Sequence, residues 1–394
     1  MSDEELRAEL GSLPADLRVR LELAGFDAAR FMEIAAPVLA RARGAIMAPA
    51  SETNRVRGMV ELPRESDIVD APTAETPMFE RHAESGRDAL AHGRVAICVM
   101  AGGMATRMGG VVKALLDVLP QKTFLDLRLV ENAAWSAHSV RPVPLWLMTS
   151  HATDGAIREA LDRRGTGPHV ATFTQNLALR LTREGRLFRT NDGIPSPYAT
   201  GHGDLPDALR RSGLLNRFVD RGGQFVWIAN IDNVGATIDP ALLGWFVEQR
   251  IDAMVELAPK RAGDRGGIPA WAETARPGMK PARRLQVIEE FRLPEGFDAA
   301  SVRVFNTNTM LVRADALLRA PLHWTWFEVQ KLVEGRAAIQ FERLLQEITA
   351  TLPTAYVRVP RDGADSRFIP IKGFDDLTAY RDLVETVVRA RGLV

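Results

Sequence analysis

The chain has 394 residues, 46% of them apolar and 25% charged, with acidic and basic side chains balanced at 50 each. That length and composition fit a soluble α/β domain with a smaller appendage, and zero formal net charge argues against nucleic acid or an anionic membrane as the main partner. No apolar run reaches the roughly 18 residues of a bilayer span. The start, Met1 to Glu5, is acidic where a secretory signal is basic, and the single cysteine, Cys98, has no internal partner, so the cytoplasm is the expected compartment.

Residues 1–90 read as a helical N-terminal segment followed by a connector. Ser2 with Glu5 makes a capping-box pattern, Pro14 suits the first turn of a helix carrying Leu17, Val19, Leu21 and Leu23, and Phe31, Ile34, Ala35, Val38 and Leu39 form a second stripe. From Pro49 to Pro77 the chain is rich in Pro, Thr, Glu and Asp, as connectors are.

From residue 91 to about 380 short apolar runs alternate with helix-length stretches. Strands are predicted at Val95–Met100, Pro144–Thr149, His169–Thr174, Phe225–Asn230, Ala253–Leu257, Leu285–Ile288, Val302–Val312 and Ala355–Val359. Helices are predicted at Phe124–His138, Thr153–Arg163, Leu205–Ser212, Pro240–Arg250 and Ala337–Thr349, with a helix end over 381–394. Such alternation predicts a mostly parallel sheet covered by helices, with ligands gathered in the loops after the strands.

The loop after the first run, Ala101-Gly102-Gly103-Met104-Ala105-Thr106-Arg107-Met108-Gly109-Gly110, is followed by Lys113. Glycines there let backbone N–H groups approach phosphate oxygens, and Arg107 and Lys113 add cationic donors; a tight strand-to-helix connection is the plainer reading of the glycines alone. Lys113 is followed by Ala114, which excludes a Walker loop, and the glycine spacing does not match the dinucleotide fingerprint. Only six of the 50 basic residues are lysine, at 113, 122, 260, 280, 331 and 372, so a retained lysine suggests a need for a compact, mobile charge.

After Phe225–Asn230, the stretch Asn230-Ile231-Asp232-Asn233 offers a carboxylate suited to Mg²⁺ beside a triphosphate, or a cap or Asx turn. In Gly201-His202-Gly203-Asp204 the histidine either contacts a phosphate or base or is merely tolerated in the turn, and Asp204 is an N-cap candidate. Asn306-Thr307-Asn308-Thr309 interrupts an apolar strand and reads as a set of sugar-hydroxyl readers or as an edge or bulge. Lys372 ends Ser366-Arg367-Phe368-Ile369-Pro370-Ile371-Lys372, either in a site or on a surface loop.

These stretches, together with Thr123-Phe124-Leu125-Asp126-Leu127, Pro144–Ser150, Ser212-Gly213-Leu214-Leu215 and Gly266-Gly267, resemble the UTP–glucose-1-phosphate uridylyltransferase (UDP-glucose pyrophosphorylase) family from about Val95 to Leu377. The resemblance implies a Rossmann-like, glycosyltransferase-A type catalytic domain over 91–380, with a mixed, mostly parallel sheet, a helical N-terminal appendage and Mg²⁺ as cofactor. It implies that Gly102, Gly103 and Thr106 meet the nucleotide, that Met148 and Gln175 contact uracil, and that Gly201 and His202 lie beside the nucleotide and phosphates. Arg107, Lys113 and Lys372 would act on the phosphates, Asp232 would hold the metal, and Asn230, Glu289, Asn306 and Asn308 would face the sugar. Ala105 and Val112 stand where the family usually has glycine and proline, and the chain stops soon after Lys372, where many relatives continue into a β-helix.

The implied reaction joins UTP to a sugar 1-phosphate, glucose 1-phosphate first, with an N-acetylhexosamine or galactose 1-phosphate as an alternative substrate. A sugar-nucleotide-binding protein without catalysis is the other alternative. No nucleic acid or membrane partner is expected, and the molecule is expected to be a monomer or a small homo-oligomer.

Overall fold

The computed structural model describes residues 1–75, 77–105, 109–274 and 282–393. At its centre is an eight-stranded sheet. In chain order the strands are β1 (Ile68–Asp70), β2 (Val95–Met100), β3 (Leu145–Thr149), β4 (Val170–Thr174), β5 (Phe225–Asn230), β6 (Ala253–Pro259), β7 (Val304–Arg313) and β8 (Thr354–Arg358). Across the sheet they lie in the order β1-β8-β6-β7-β5-β2-β3-β4, and every neighbouring pair is parallel except those made by β7. The architecture is therefore Rossmann-like: a mixed, mostly parallel sheet between helical layers.

The strands read as unbroken apolar runs because both faces are covered. Along β2, Val95, Ile97 and Val99 enter one core while Ala96, Cys98 and Met100 enter the other; Phe225 and Trp227 alternate with Val226 and Ile228 in the same way along β5. Each large side chain buried here contributes about 1.5–3 kcal/mol relative to exposure. The first face is covered by α4 (Phe79–Ala91), α5 (Phe124–Ser136), α6 (Asp154–Arg163), α9 (Pro240–Glu248) and α10 (Arg381–Ala390), and the second by α7 (Leu205–Arg211) and α8 (Leu214–Asp220). No helix among the described residues is long and apolar enough to cross a membrane.

The N-terminal helices α1 (Asp3–Gly11), α2 (Ala15–Leu23) and α3 (Ala28–Ala42) form their own core. The Ser2–Glu5 capping box is present, the Ser2 hydroxyl accepting from Glu5 N–H at 3.1 Å. In α2 the predicted stripe is narrower than expected: Leu17 and Leu21, four apart, are buried, whereas Val19 and Leu23 are exposed. This core closes against Leu177, Leu179, Leu187, Ile339 and Phe341. These last residues belong to or follow two antiparallel hairpins, Leu177–Leu179 with Pro197–Ala199 and Phe327–Val333 with Arg336–Glu342.

Three expectations are corrected. The helix predicted at Ala337–Thr349 is a strand over Arg336–Glu342 followed by a 3₁₀ turn over Leu345–Ala350. Glu334 and Gly335 both have positive φ (49° and 75°) and reverse the chain so that Val333 faces Arg336, after which antiparallel pairing decides the period. The connector before Pro77 contributes β1, an edge strand of the main sheet paired with β8. The strand predicted at Leu285–Ile288 runs over Ala282–Ile288 and lies outside the main sheet, joined to Val60–Glu61 through Ile268–Thr274.

Candidate functional site

The register aligns the carboxyl ends of four strands and the middle of the antiparallel β7 in one row. Asn230 pairs with Met100, Met100 with Met148, and Met148 with Phe173, which precedes Gln175 by two residues. On the other side, β7 pairs Met310 with Ile228, and two residues beyond that pair lie Asn308 and Asn230. With strands about 4.8 Å apart, the row from Asn308 to Phe173 spans about 19 Å. Most of the site residues expected from the sequence lie on this row or in the loops leaving it.

At one end, Gln175 is buried and its side-chain amide donates to the Gly201 carbonyl at 2.8 Å. A Cβ on Gly102 would stand 2.6 Å from Gln175 Oε1, so the glycine is what admits this side chain. Met148 is buried, and its carbonyl accepts from Ala101 N–H at 2.8 Å, so its backbone ties the glycine loop to β3. Gly103 is different: nothing would meet a Cβ there within 4 Å, and its carbonyl accepts from Lys113 N–H at 3.2 Å. Thr106 and Arg107 lie outside the described residues.

The Gly201–Asp204 turn is held by chain rather than left open. A Cβ on Gly203 would be 2.6 Å from the Arg343 carbonyl carbon and from Leu344 N. Asp204 stands at the N-cap position of α7 but its carboxylate makes no capping bond; it accepts instead from Thr200 Oγ1, Asn176 N–H and the buried Arg343 guanidinium. His202 Nδ1 accepts from Leu345 N–H at 3.1 Å, and burial pushes its pKa down to about 4. The imidazole is thus neutral at pH 7, with its proton on Nε2 as a donor.

In the middle of the row, Lys113 Nζ donates to Asp232 Oδ2 at 2.8 Å. The Asp232 carbonyl accepts from Ile371 N–H at 3.0 Å, and Asn233 bridges to Pro370. Lys372, an exposed side chain, therefore leaves the backbone one residue after a direct bond to the Asp232 loop. The two lysines, 259 residues apart in sequence (372 − 113), are thus tied to one aspartate, Lys113 through its ammonium and Lys372 through its neighbour's backbone. Asn233 caps no helix; its amide accepts from Ile369 N–H and donates to the Arg367 carbonyl.

At the other end, three residues of β7 bulge out between the pairs Val255–Met310 and Leu257–Asn306. Asn308 takes a φ of +59° there, which asparagine tolerates better than most residues. Asn306 Nδ2 donates to Asn308 Oδ1 at 2.8 Å, and Asn306 N–H donates to the Gly267 carbonyl. Glu289 stands against Gly267 and accepts from the Gln346 amide. Glu289 is raised to about 7 by burial, with Glu290 adding to the shift.

A carboxyl whose pKa rises from 4.5 to about 7 on folding stabilises the fold below pH 4.5, and that contribution is lost as pH rises through 7. Glu289→Gln should therefore be more stable than the parent, relative to pH 4.5, by roughly 2–3 kcal/mol at pH 8. Urea unfolding of both proteins across that range reads the difference, and the opposite slope from His202, lost as pH falls from 6.5 to 4, cancels. Parallel pH profiles would show that Glu289 is ionised throughout.

The scaffold behind Asp232 has no counterpart among the residues singled out from the sequence. Arg128 donates to the carbonyls of Asn233 and Ala236, both at 2.8 Å, and pairs with the buried Glu131. Arg367 donates to the Thr237 carbonyl and grips the fully buried Glu256 through two bonds of 2.7 and 2.8 Å. Arg391, on the residue after α10, donates to the Gly235 carbonyl, Thr237 Oγ1 and the Ser366 carbonyl. Glu256 was the one available signal: a carboxylate in the middle of an apolar strand demands a buried partner. A cavity of about 650 Å³ lies behind this clamp, lined by Trp135, Thr237, Asp239, Arg367 and Arg391 among others, and no described residue of the glycine loop borders it.

Among the described residues no group of three or more His, Cys, Asp or Glu could cage a metal. One carboxylate, Asp232, facing a glycine loop fits a magnesium ion that is held mostly by phosphate oxygens and water.

A glycine loop, a lysine–aspartate pair and polar side chains line one edge of a Rossmann-like sheet, the arrangement of a nucleotidyltransferase fold. The family model described as UTP–glucose-1-phosphate uridylyltransferase matches residues 46–386, and the chain belongs to that family. It is 26% identical over 307 residues to the UTP–glucose-1-phosphate uridylyltransferase of Hordeum vulgare, covering 75% of this chain and 63% of that protein. The Solanum tuberosum enzyme of the same name is 28% identical, over 72% of this chain and 60% of its own. The chain thus spans about three-fifths of the length of these relatives. Among solved structures, a UDP-glucose pyrophosphorylase mutant from Leishmania major superposes with a TM-score of 0.68 at 23% identity, covering 88% of this chain and 78% of that one. A second mutant of that enzyme, in complex with UDP-glucose, gives a TM-score of 0.61 at 23% identity over 81% of this chain and 71% of its own.

Proposed function

We propose that the chain joins UTP and a sugar 1-phosphate, glucose 1-phosphate first, into a UDP-sugar and pyrophosphate. The observation that carries this reading is the row of strand ends, which sets Gln175 and the glycine loop at one end, Lys113 and Asp232 in the middle, and Asn306, Asn308 and Glu289 at the other. Its span suits an extended nucleotide-sugar. Family membership and the UDP-glucose bound to the Leishmania relative support the same substrate.

In this reading Gly102, Gly103 and Thr106 receive the nucleotide, Met148 and Gln175 border the base, and Gly201 and His202 flank the phosphates, the Nε2–H of His202 donating. Asn230, Glu289, Asn306 and Asn308 read the sugar hydroxyls. The sugar-phosphate oxygen is already ionised at neutral pH, so its attack on the α-phosphorus requires no general base. Lys113, Arg107 and Lys372 offset the negative charge that gathers on the transferred and leaving groups. Asp232 would hold Mg²⁺, which supplies charge neutralisation on the phosphates when bound. The composition agrees with a cytoplasmic enzyme acting on these soluble substrates.

Pyrophosphate release is the test, with UTP paired in turn with glucose, galactose and N-acetylglucosamine 1-phosphates. Release should be fastest with glucose 1-phosphate. Faster release with another sugar would reassign the sugar, and UTP binding by calorimetry without release from any pair would make the chain a binding protein.

A further inference from the structure

The Lys113–Asp232 contact puts an ammonium where a cation ligated by that carboxylate would sit. Nζ is 2.8 Å from Oδ2, and the two side chains are only 17% and 16% exposed, so water screens the pair poorly. A divalent ion approaching Asp232 meets both an occupied oxygen and a positive charge within a few ångströms. The two partners differ in freedom. Asp232 is held through its carbonyl by Ile371, and its loop by Arg128, Arg367 and Arg391. Lys113 is fixed at its backbone N–H by the Gly103 carbonyl, but its four-carbon stem can swing the ammonium towards the glycine loop.

We propose that Lys113 and a divalent cation are alternative occupants of the Asp232 carboxylate. Lys113 holds it while the site is empty, and the cation gains it when a triphosphate seated on the glycine loop draws the ammonium away. The proposal rests on the nucleotide-binding reading of this site and adds to it an interlock: metal and nucleotide load together, and free metal alone does not charge the protein. The choice of lysine follows, in a chain that otherwise uses arginine. A guanidinium would grip the carboxylate through two parallel bonds and release it less readily.

Manganese binding to the full chain, followed by the loss of the free Mn²⁺ paramagnetic resonance signal, tests this without turnover. In nucleotide-free buffer, Lys113→Gln should bind Mn²⁺ at least about tenfold more tightly than the parent. The gain should vanish in Lys113→Gln with Asp232→Asn, and Lys113→Arg should stay as weak as the parent. Thermal melts of each variant establish that it is folded. Adding UTP to the parent should raise Mn²⁺ binding above that of UTP alone. Equal affinity in the parent and Lys113→Gln would overturn the proposal, as would a gain that survives Asp232→Asn or is matched by Lys113→Arg. Because the nucleotide-free arms use no substrate, they decide the competition even if the pyrophosphate assay rejects the proposed reaction.

Discussion

Lys113→Ala is expected to lower the rate of pyrophosphate release by about 10²–10³-fold, the usual cost of deleting one preorganised donor to a transition-state oxyanion. In the proposed reading the loop that anchors the ammonium would face the phosphates; Lys113 is tied to it through the Gly103 carbonyl and to Asp232 through Nζ. Its contribution grows as charge moves onto the leaving pyrophosphate, so kcat should fall more than KM rises. Stability should fall by only about 1–3 kcal/mol, since Asp232 loses a poorly screened partner while the loop carbonyls keep their arginine donors. Lys331→Ala, on the Phe327–Val333 strand far along the chain, serves as the control and should leave the rate unchanged. A Lys113→Ala enzyme with undiminished kcat would remove Lys113 from the chemistry.

Glu256→Ala is expected to cost about 3–5 kcal/mol of unfolding free energy, because it leaves the buried Arg367 guanidinium without its carboxylate partner. Both side chains are buried, their contact is two-pronged, and the Arg367 guanidinium also stacks 5.4 Å from the Trp227 ring. The midpoint of urea unfolding reads the loss. Replacing both partners by apolar residues, Glu256→Leu with Arg367→Met, should recover most of the stability, since neither charge then remains buried. That double variant still lacks the bond to the Thr237 carbonyl and should turn over slowly while folding well. If Glu256→Ala unfolds at the parent's midpoint, water reaches Arg367 and the clamp is weaker than its geometry implies.

The row of strand ends was legible in the sequence because several strands close with or carry a break in apolar character: Gly102 after β2, Asp232 after β5, and Asn306 and Asn308 within β7. The family resemblance added Met148, Gln175 and Glu289, residues whose types alone would not have marked them. The clamp was not legible for a physical reason. Arg128, Arg367 and Arg391 act on backbone carbonyls, and a carbonyl is the same at every position. The segment 337–349 misled for another reason: Ile339, Phe341, Leu345 and Ile348 satisfy helical spacing as well as they satisfy a strand followed by a turn. Only the reversal at Glu334 and Gly335, and the partner strand it supplies, separates the two.

Carbonyl-bound guanidiniums also fix how the site answers to acidity. Arg391 is pushed down to about 10, by burial first and by Arg367 next, and still keeps its proton throughout the neutral range. The mould around the aspartate loop therefore carries a permanent charge, whatever protonation changes occur at His202 or Glu289 on either side. Shape at the centre of the cleft is insulated from pH, while the two flanks are free to respond to it.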